Sequence, residues 1–417
     1  MTAPDPKRTV TELKELRALT GDDNGAQRVA FTPTWLKARE WLRQKVAGLP
    51  LEIHTDAAGN LWTTLRGESD RALLIGGHMD SVPNGGWLDG SLNVLAAVEI
   101  LRRINAQYKG KPPVTVRLVD WADEEGARFG KSLFGSSACS GNLNMDEARD
   151  LKDKQGVRLP DALKEVGVEF ERVKESGKEL KNAAAYLELH IEQGGILDKE
   201  RIDIGVVEGI VGINWWDVTI EGFANHAGTT PMNQRQDALL AAAKFIEAVN
   251  RVVTSFPGRQ VGTVGRIQAL PGAPNVIPGK VILSLELRDL DAAKIQMIYQ
   301  KIRTEADQIA QASRVKFDFK EINVNIPAPT DPRLRALIDQ SAKDLGLTTK
   351  QMPSGAGHDA QDMARLASVG MIFIPSIGGI SHSPKEFSKP KDIENGANVL
   401  LGAVMKLDPR DLTPDLH

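Results

Sequence analysis

Between residues 73 and 99, in LLIGGHMDSVPNGGWLDGSLNVLAAVE, three side chains able to do chemistry come in quick succession: His78, Asp80 and Asp89. Farther along stand the adjacent pair Glu124-Glu125, then His190 and His382. Imidazoles mixed with carboxylates form a ligand set for a borderline divalent metal such as Zn, Mn, Co or Ni. There are more donors than one tetrahedral ion needs, and two ions sharing a carboxylate would use them. Asp89 leads a Gly-Ser turn and is the natural bridge. Two ions ~3.5–4 Å apart can bind and deprotonate one water and polarise a carbonyl under attack. A carboxylate that is not a ligand must then take the water's proton and deliver it to the leaving nitrogen. Two adjacent glutamates do not readily aim at one ion from an extended backbone, which suggests one base and one ligand. Asp80, two residues after His78, is spaced to hydrogen-bond that imidazole and set its tautomer.

Taken singly, each piece has a plainer reading. A His-x-Asp is usually a surface or core pair, a Glu-Glu-Gly a solvated loop, and a histidine after Gly-Gly a turn residue. The joint case rests on position. Residues 72–75, 114–121, 183–189 and 371–374 read as strands, and each has its polar residues just past its end. Residues 91–104 form an apolar helical pattern after the first loop. Strands alternating with helices predict an α/β sheet, and sites in open α/β sheets form at the carboxyl ends of strands. Helices are also expected at 9–19, 33–46, 333–346 and 391–406, with a hairpin over 51–62 that carries His54 as an ordinary strand residue. The charged stretch 146–181 reads as a surface excursion.

The middle of the chain has a different texture. Alternation at 215–220, 281–287 and 315–322, with helical periodicity at 237–252 and 292–309, fits a β-α-β-β-α-β order in which one strand carries no alternation of its own. That order predicts a small two-layer, ferredoxin-like α+β domain with two helices on one face of an antiparallel sheet. It is expected as an insertion over 213–326, splitting a main domain made of 1–212 and 327–417. The Pro-rich stretch 326–332 is the exit linker.

Length and charge agree with this division. A chain of 417 residues exceeds what one compact core usually holds. A net charge of -3 offers no basic patch, so neither nucleic acid nor an anionic membrane is expected as partner. The single cysteine, Cys139, excludes an intrachain disulfide framework and fits a reducing compartment. The N-terminus carries charges where a signal peptide needs an apolar core. No apolar run approaches the ~18 residues of a membrane span. A soluble, cytoplasmic protein is the expectation.

The motifs themselves carry a resemblance. GGHMDSVPNGGWLDG (76–90), DEEGARF (123–129), ELHIEQG (188–194), HAGTTPMNQRQDAL (226–239), PNVIPG (274–279), SGAGHDAQ (354–361) and SHSPKEF (381–387) stand in the order seen in one family. The chain resembles the amidase, hydantoinase and carbamoylase group of the aminoacylase-type dimetal hydrolases. The resemblance implies a mixed-sheet dimetal exopeptidase-like catalytic domain with an inserted dimerisation and lid domain. It implies His78, His190, Glu125 and His382 as metal ligands, Asp89 as the bridge, Glu124 as general base and Asp80 as the group orienting His78. It implies that His226 reaches the site of the other subunit of a homodimer and binds the oxygen of the scissile group. Asn275 and Arg288 match positions that bind a substrate carboxylate, and Gln193, Gly357 and His358 match positions lining the same pocket. The plainer reading of Arg288 is a salt bridge with Asp289 or Asp291. Arg235 fits the motif as a support for His226.

The activity implied is hydrolysis of an N-carbamoyl-L-amino acid to the amino acid, carbon dioxide and ammonia. Allantoate or β-ureido acid hydrolysis is the alternative, then an aminoacylase or dipeptidase. A catalytically silent relative used for binding is the rival of another class, and the intact ligand set with Glu124 speaks against it. The sequence departs from the family pattern beside the bridge, where Trp87 and Leu88 make the loop more apolar and Ser91-Leu92-Asn93 replaces a smaller pattern. That places substrate selection at Trp87 and Leu88. Trp215-Trp216 reads as core packing.

Overall fold

The computed structural model describes residues 5–412. They fall into two compact units: one runs to Gly209 and resumes at Pro329, the other spans Ile210–Ala328.

The first unit is built on a mixed sheet of nine strands. Its middle is four parallel strands in the order Ser368–Ile374, Ala183–Ile191, Ser69–His78 and Val114–Trp121. The antiparallel hairpin Glu52–Thr55 and Leu61–Leu65 closes one side against Val114–Trp121. Parallel strands covered on both faces read as continuous apolar runs, and Ala72, Leu73, Leu74 and Ile75 are all buried. Each such Leu or Ile withdrawn from water contributes ~1.5–3 kcal/mol. Register sets the chemistry: Phe373 pairs with His190 and His78 with Trp121, so the strands end together at one edge.

The helix Ser91–Tyr108 follows the His78 strand and buries nearly every residue of its first three turns. It starts after Gly90, whose φ is 65°. A Cβ there would lie 2.4 Å from the His78 ring and carbonyl, so glycine is required by both conformation and space. Asn93 in the first turn donates to the Gly76 carbonyl and accepts from the Leu189 amide at 3.0 Å, tying two strand ends to this helix. The helix Pro33–Val46 is joined to the same edge by Arg39, buried on the Trp35 ring, with Nε 2.6 Å from Asp120 Oδ2. Asp120 Oδ1 in turn accepts from the Met79 amide at 2.7 Å.

The stretch 146–181 differs from the expected surface excursion. Leu159, Ala162, Leu163, Val168, Phe170 and Val173 are buried and form a second small core with Phe31, Trp35, Phe129 and Phe134. Its charges sit between these apolar positions, which is why composition alone read it as exposed.

The second unit is a five-stranded antiparallel sheet. Gly212–Glu221 lies between Lys280–Asp289 and Lys316–Asn325. Helices Ala238–Ser255 and Ala292–Ser313 pack together on one face, burying Trp216, Val218, Ile220, Val281, Leu283, Leu285 and Leu287 beneath them. Alternation separates the two tryptophans: Trp216 stacks on Tyr299 at 4.2 Å, while Trp215 is on the exposed face. Among the described residues no helix is long and apolar enough to cross a membrane.

Candidate metal centre

Four strand ends of the first unit deliver the donors. His78 closes its strand, Asp89 follows on the next loop, Glu124 and Glu125 follow Trp121, His190 lies at the end of Ala183–Ile191, and His382 follows Ser368–Ile374. Three imidazoles converge on Asp89. Its Oδ1 lies 3.0 Å from His190 Nε2 and 3.6 Å from His78 Nε2, and its Oδ2 lies 3.2 Å from His382 Nε2. Glu125 Oε2 is 3.4 Å from His382 Nε2. Two triads of closely spaced donor atoms result, His78 with Asp89 and His190, and Asp89 with Glu125 and His382. They share Asp89, and each of its oxygens faces one of them.

The far side of two rings is fastened. His78 Nδ1 is 3.1 Å from the Asp80 carbonyl and His190 Nδ1 is 2.8 Å from the Ile191 carbonyl. A ring nitrogen that donates to a carbonyl leaves Nε2 as a lone pair, the form a metal takes. Asp80 therefore meets His78 through its main chain; its carboxylate stands 3.7 Å off. That carboxylate instead accepts from the amides of Glu124 at 3.3 Å and Glu125 at 3.2 Å, fixing the pair. Asp123, Gln193 and His382 all have φ near +55°. Left-handed backbone at non-glycine residues is costly and concentrates at functional sites.

The electrostatics are those of a crowded acid cluster. Burial works to raise Asp89, yet His190, His382 and His78 hold it well below the usual carboxylate range. Burial works to lower His78, and the carboxylates of Glu124, Asp89 and Asp80 overcome it and raise it well above the ordinary value. Burial pushes the Glu124 carboxyl well up, and Glu125 to about 7. His382 is raised to about 9, chiefly by its hydrogen bond with Asp89. Beneath the loop lies Arg28, fully buried, donating Nε to the Met79 carbonyl at 2.7 Å and Nη2 to Ser91 Oγ at 2.9 Å.

Glu124 Oε2 lies 3.5 Å from His78 Nε2, beside both triads and in neither. Gln193 donates Nε2 to Asp89 Oδ2 at 2.8 Å, and its Oε1 is buried with no hydrogen-bond partner among the described residues. His358 is placed behind His190 rather than on an open wall. It is 1% exposed, with its ring 4.5 Å from the His190 ring and Nε2 2.8 Å from Ser354 Oγ. Burial holds it well below the ordinary histidine value, hence neutral. Gly357 is half-buried in the loop before it. Glu188, His190 and His358 make a third, deeper donor group, but Glu188 already accepts from Tyr186 at 2.9 Å and the Ala360 amide at 3.2 Å.

Trp87 and Leu88 do not stand as pocket residues. Leu88 is completely buried in the main core, and Trp87, 5% exposed, donates its indole N–H to the Glu386 carbonyl at 3.1 Å. Their apolar character serves packing, which corrects the expectation that they select substrate.

In the second unit, His226 and Asn275 are neighbours: Asn225–His226 pairs with Val276–Ile277, and the Ala227 amide donates to the Asn275 carbonyl at 3.0 Å. His226 is exposed, and its Nδ1 accepts from the amides of Gly228 at 3.0 Å and Thr229 at 3.3 Å. The proton of the neutral ring is therefore on Nε2, which is left as a donor. Arg235 ties this turn by donating to the carbonyls of Ala227 and Thr230. Arg288 lies on Lys280–Asp289 and is forked onto Glu286.

Comparison with known proteins gives this arrangement its class. Residues 74–406 match the model of peptidase family M20/M25/M40. The chain belongs to that family and is an amidohydrolase, a hydrolase of C–N bonds. It is 36% identical, over 92% of this chain and 93% of the other, to an N-carbamoyl-L-amino acid amidohydrolase of Geobacillus stearothermophilus. It is 34% identical, over 96% and 98% respectively, to an allantoate amidohydrolase of Bacillus subtilis (strain 168). A crystal structure of an amidase of the hydantoinase/carbamoylase family from Burkholderia multivorans superposes with a TM-score of 0.87 at 32% identity, covering 96% of this chain and 97% of that one.

Proposed function

We propose that this chain hydrolyses the carbamoyl C–N bond of N-carbamoyl-L-amino acids, releasing the amino acid, carbon dioxide and ammonia, at a two-ion centre. The observation that carries this reading is the division of Asp89, with Oδ1 facing His78 and His190 and Oδ2 facing His382. The donor chemistry fits a pair of divalent ions, Zn or Mn, with Co or Ni also suited. His78, Asp89 and His190 would hold one, and Asp89, Glu125 and His382 the other. When bound, such ions acidify water and polarise a carbonyl.

Glu124 is the general base. It is buried, its amide is pinned by Asp80, and burial gives it a raised proton affinity suited to taking a proton from water and handing it to the leaving nitrogen. Gln193 offers its unpartnered Oε1 to a ureido N–H, since a buried acceptor without a donor calls for one. His226 presents an Nε2–H donor for the charge developing on the carbonyl oxygen. Its delivery is read as the work of the inserted unit, acting as dimerisation and lid domain of a homodimer. Arg288 and Asn275 anchor the substrate carboxylate, while Gly357 and His358 complete the pocket, His358 by backing His190.

A second reading, hydrolysis of allantoate, is favoured by the nearly equal similarity to the Bacillus subtilis allantoate amidohydrolase. Ammonia release from N-carbamoyl-L-amino acids and allantoate, with release of the free amino acid from N-acyl amino acids followed in parallel, separates them. Turnover of N-carbamoyl-L-amino acids is expected. Turnover of allantoate alone replaces the first reading by the second, and turnover of N-acyl amino acids alone rejects both.

A further inference from the structure

A carboxylate outside both triads ties them together. Glu386 is 2% exposed, and its Oε1 accepts from the backbone amides of Leu88 at 2.9 Å and of Asp89 at 3.1 Å. Its Oε2 accepts from Ser381 Oγ at 2.9 Å, and the same hydroxyl stands 3.1 Å from Asp89 Oδ2. Its own carbonyl accepts from the Trp87 indole at 3.1 Å. The fit leaves no slack: a Cβ on Gly86 would lie 2.0 Å from the Glu386 carboxyl. The loop that carries His382 is thereby fastened to the loop that carries Asp89, although about 300 residues separate them in the chain. His382 needs this fastening. Its side chain is 49% exposed and its φ is 53°, so neither burial nor backbone preference holds it.

We propose that Glu386 is a positioning residue for the Asp89–Glu125–His382 half of the centre. Its grip on the Leu88 and Asp89 amides and on Ser381 sets the distance between Asp89 and His382. The other half shares Asp89 but depends on Glu386 less, because its two imidazoles, His78 and His190, sit on strand ends and are held by main-chain carbonyls. This rests on the two-ion reading above. Groups that orient ligands from outside the coordination shell typically change metal affinity by about 10–100-fold when removed.

The test is titration of the metal-free full-length protein with Co(II), followed by calorimetry and by the visible absorption of the bound ion. The native protein is expected to take two equivalents. Glu386→Gln is expected to keep the first within a few fold of native affinity and to weaken the second by about 10–100-fold, with kcat recovered by added Co(II). Two native affinities in a folded Glu386→Gln variant overturn the positioning role and leave the two-ion reading standing. Fewer than two equivalents in the native protein overturns the two-ion reading, and this proposal with it. Should Glu386→Gln not fold, Glu386→Asp keeps the charge but draws the carboxylate back from the Leu88 and Asp89 amides; a weakened second equivalent supports the proposal and an unchanged one overturns it.

Discussion

Arg288 is held by Glu286, two residues earlier on the same face of the same strand: Nε donates to Oε1 at 2.6 Å and Nη2 to Oε2 at 3.1 Å. Trp215 on the neighbouring strand donates its indole N–H to the same carboxylate. An arginine forked onto a carboxylate that is itself fastened is oriented before any ligand arrives. Arg288→Ala is expected to raise KM for carboxylate substrates by about 10–100-fold, as loss of a charged hydrogen-bonding anchor does. Glu286→Gln is expected to raise it by a few fold, with kcat nearly kept in both. Steady-state kinetics decide; an unchanged KM in both variants makes the pair structural.

Glu124→Gln keeps shape and removes the proton acceptor. Its kcat is expected to fall by about 10²–10⁴-fold, with metal stoichiometry and melting temperature close to native. Turnover retained in a metal-loaded variant would reject Glu124 as base.

Chelation is expected to abolish turnover, and divalent Zn, Mn or Co to restore it. A ligand that binds only the native state also stabilises it, by about 2.7 kcal/mol at a free concentration 100 times its Kd. Thermal melting with and without chelator should show the shift, and identical curves with unchanged activity would reject the metal centre.

Acid sensitivity should centre in part on Glu179. Burial works to raise it from 4.5, but hydrogen bonds from His54 and Arg117 dominate and bring it to about 2. A carboxylate depressed on folding stabilises the native state above its unfolded pKa and loses that contribution as pH falls toward the folded one. Glu179→Gln is therefore expected to be less stable than the native chain at neutral pH and to converge with it between pH 4.5 and about 2. Parallel stability curves down to pH 2 would contradict this.

Asp120→Ala should be among the most destabilising single changes in the first unit. It leaves the buried Arg39 guanidinium without its counter-charge and frees the Met79 amide beside His78. Removing one partner of a buried ion pair costs about 3–5 kcal/mol. Denaturant unfolding checks it, and a loss below about 1 kcal/mol would show the pair to be well solvated.

The elements that position the centre were largely legible because period and composition agree over them. Helix Pro33–Val46 lies where its apolar spacing puts it, and the buried strands at 72–75 and 183–189 extend by a few residues beyond their apolar runs. The stretch 146–181 was misread because its buried residues are thinly spread among charges, and the small core they fill is completed by Phe31 and Trp35 from far away in sequence. Glu386 lay inside a quoted motif, but nothing in SHSPKEF says that its carboxylate turns toward the amides at 88 and 89.

Residue identity and local order determined which groups can do chemistry here: the imidazoles, the adjacent glutamates, and the strand-then-loop pattern that puts each at a strand end. Those are properties of short segments, set by side-chain type and by backbone preferences within a few residues. Tertiary structure alone decided the rest. It settled that the carbonyl of Asp80, not its carboxylate, meets His78, that Trp87 and Leu88 face the core, and that Arg288 is forked onto Glu286. Each is a competition among partners at hydrogen-bonding distance, and the winner depends on strand register and packing that bring distant segments within a few ångströms.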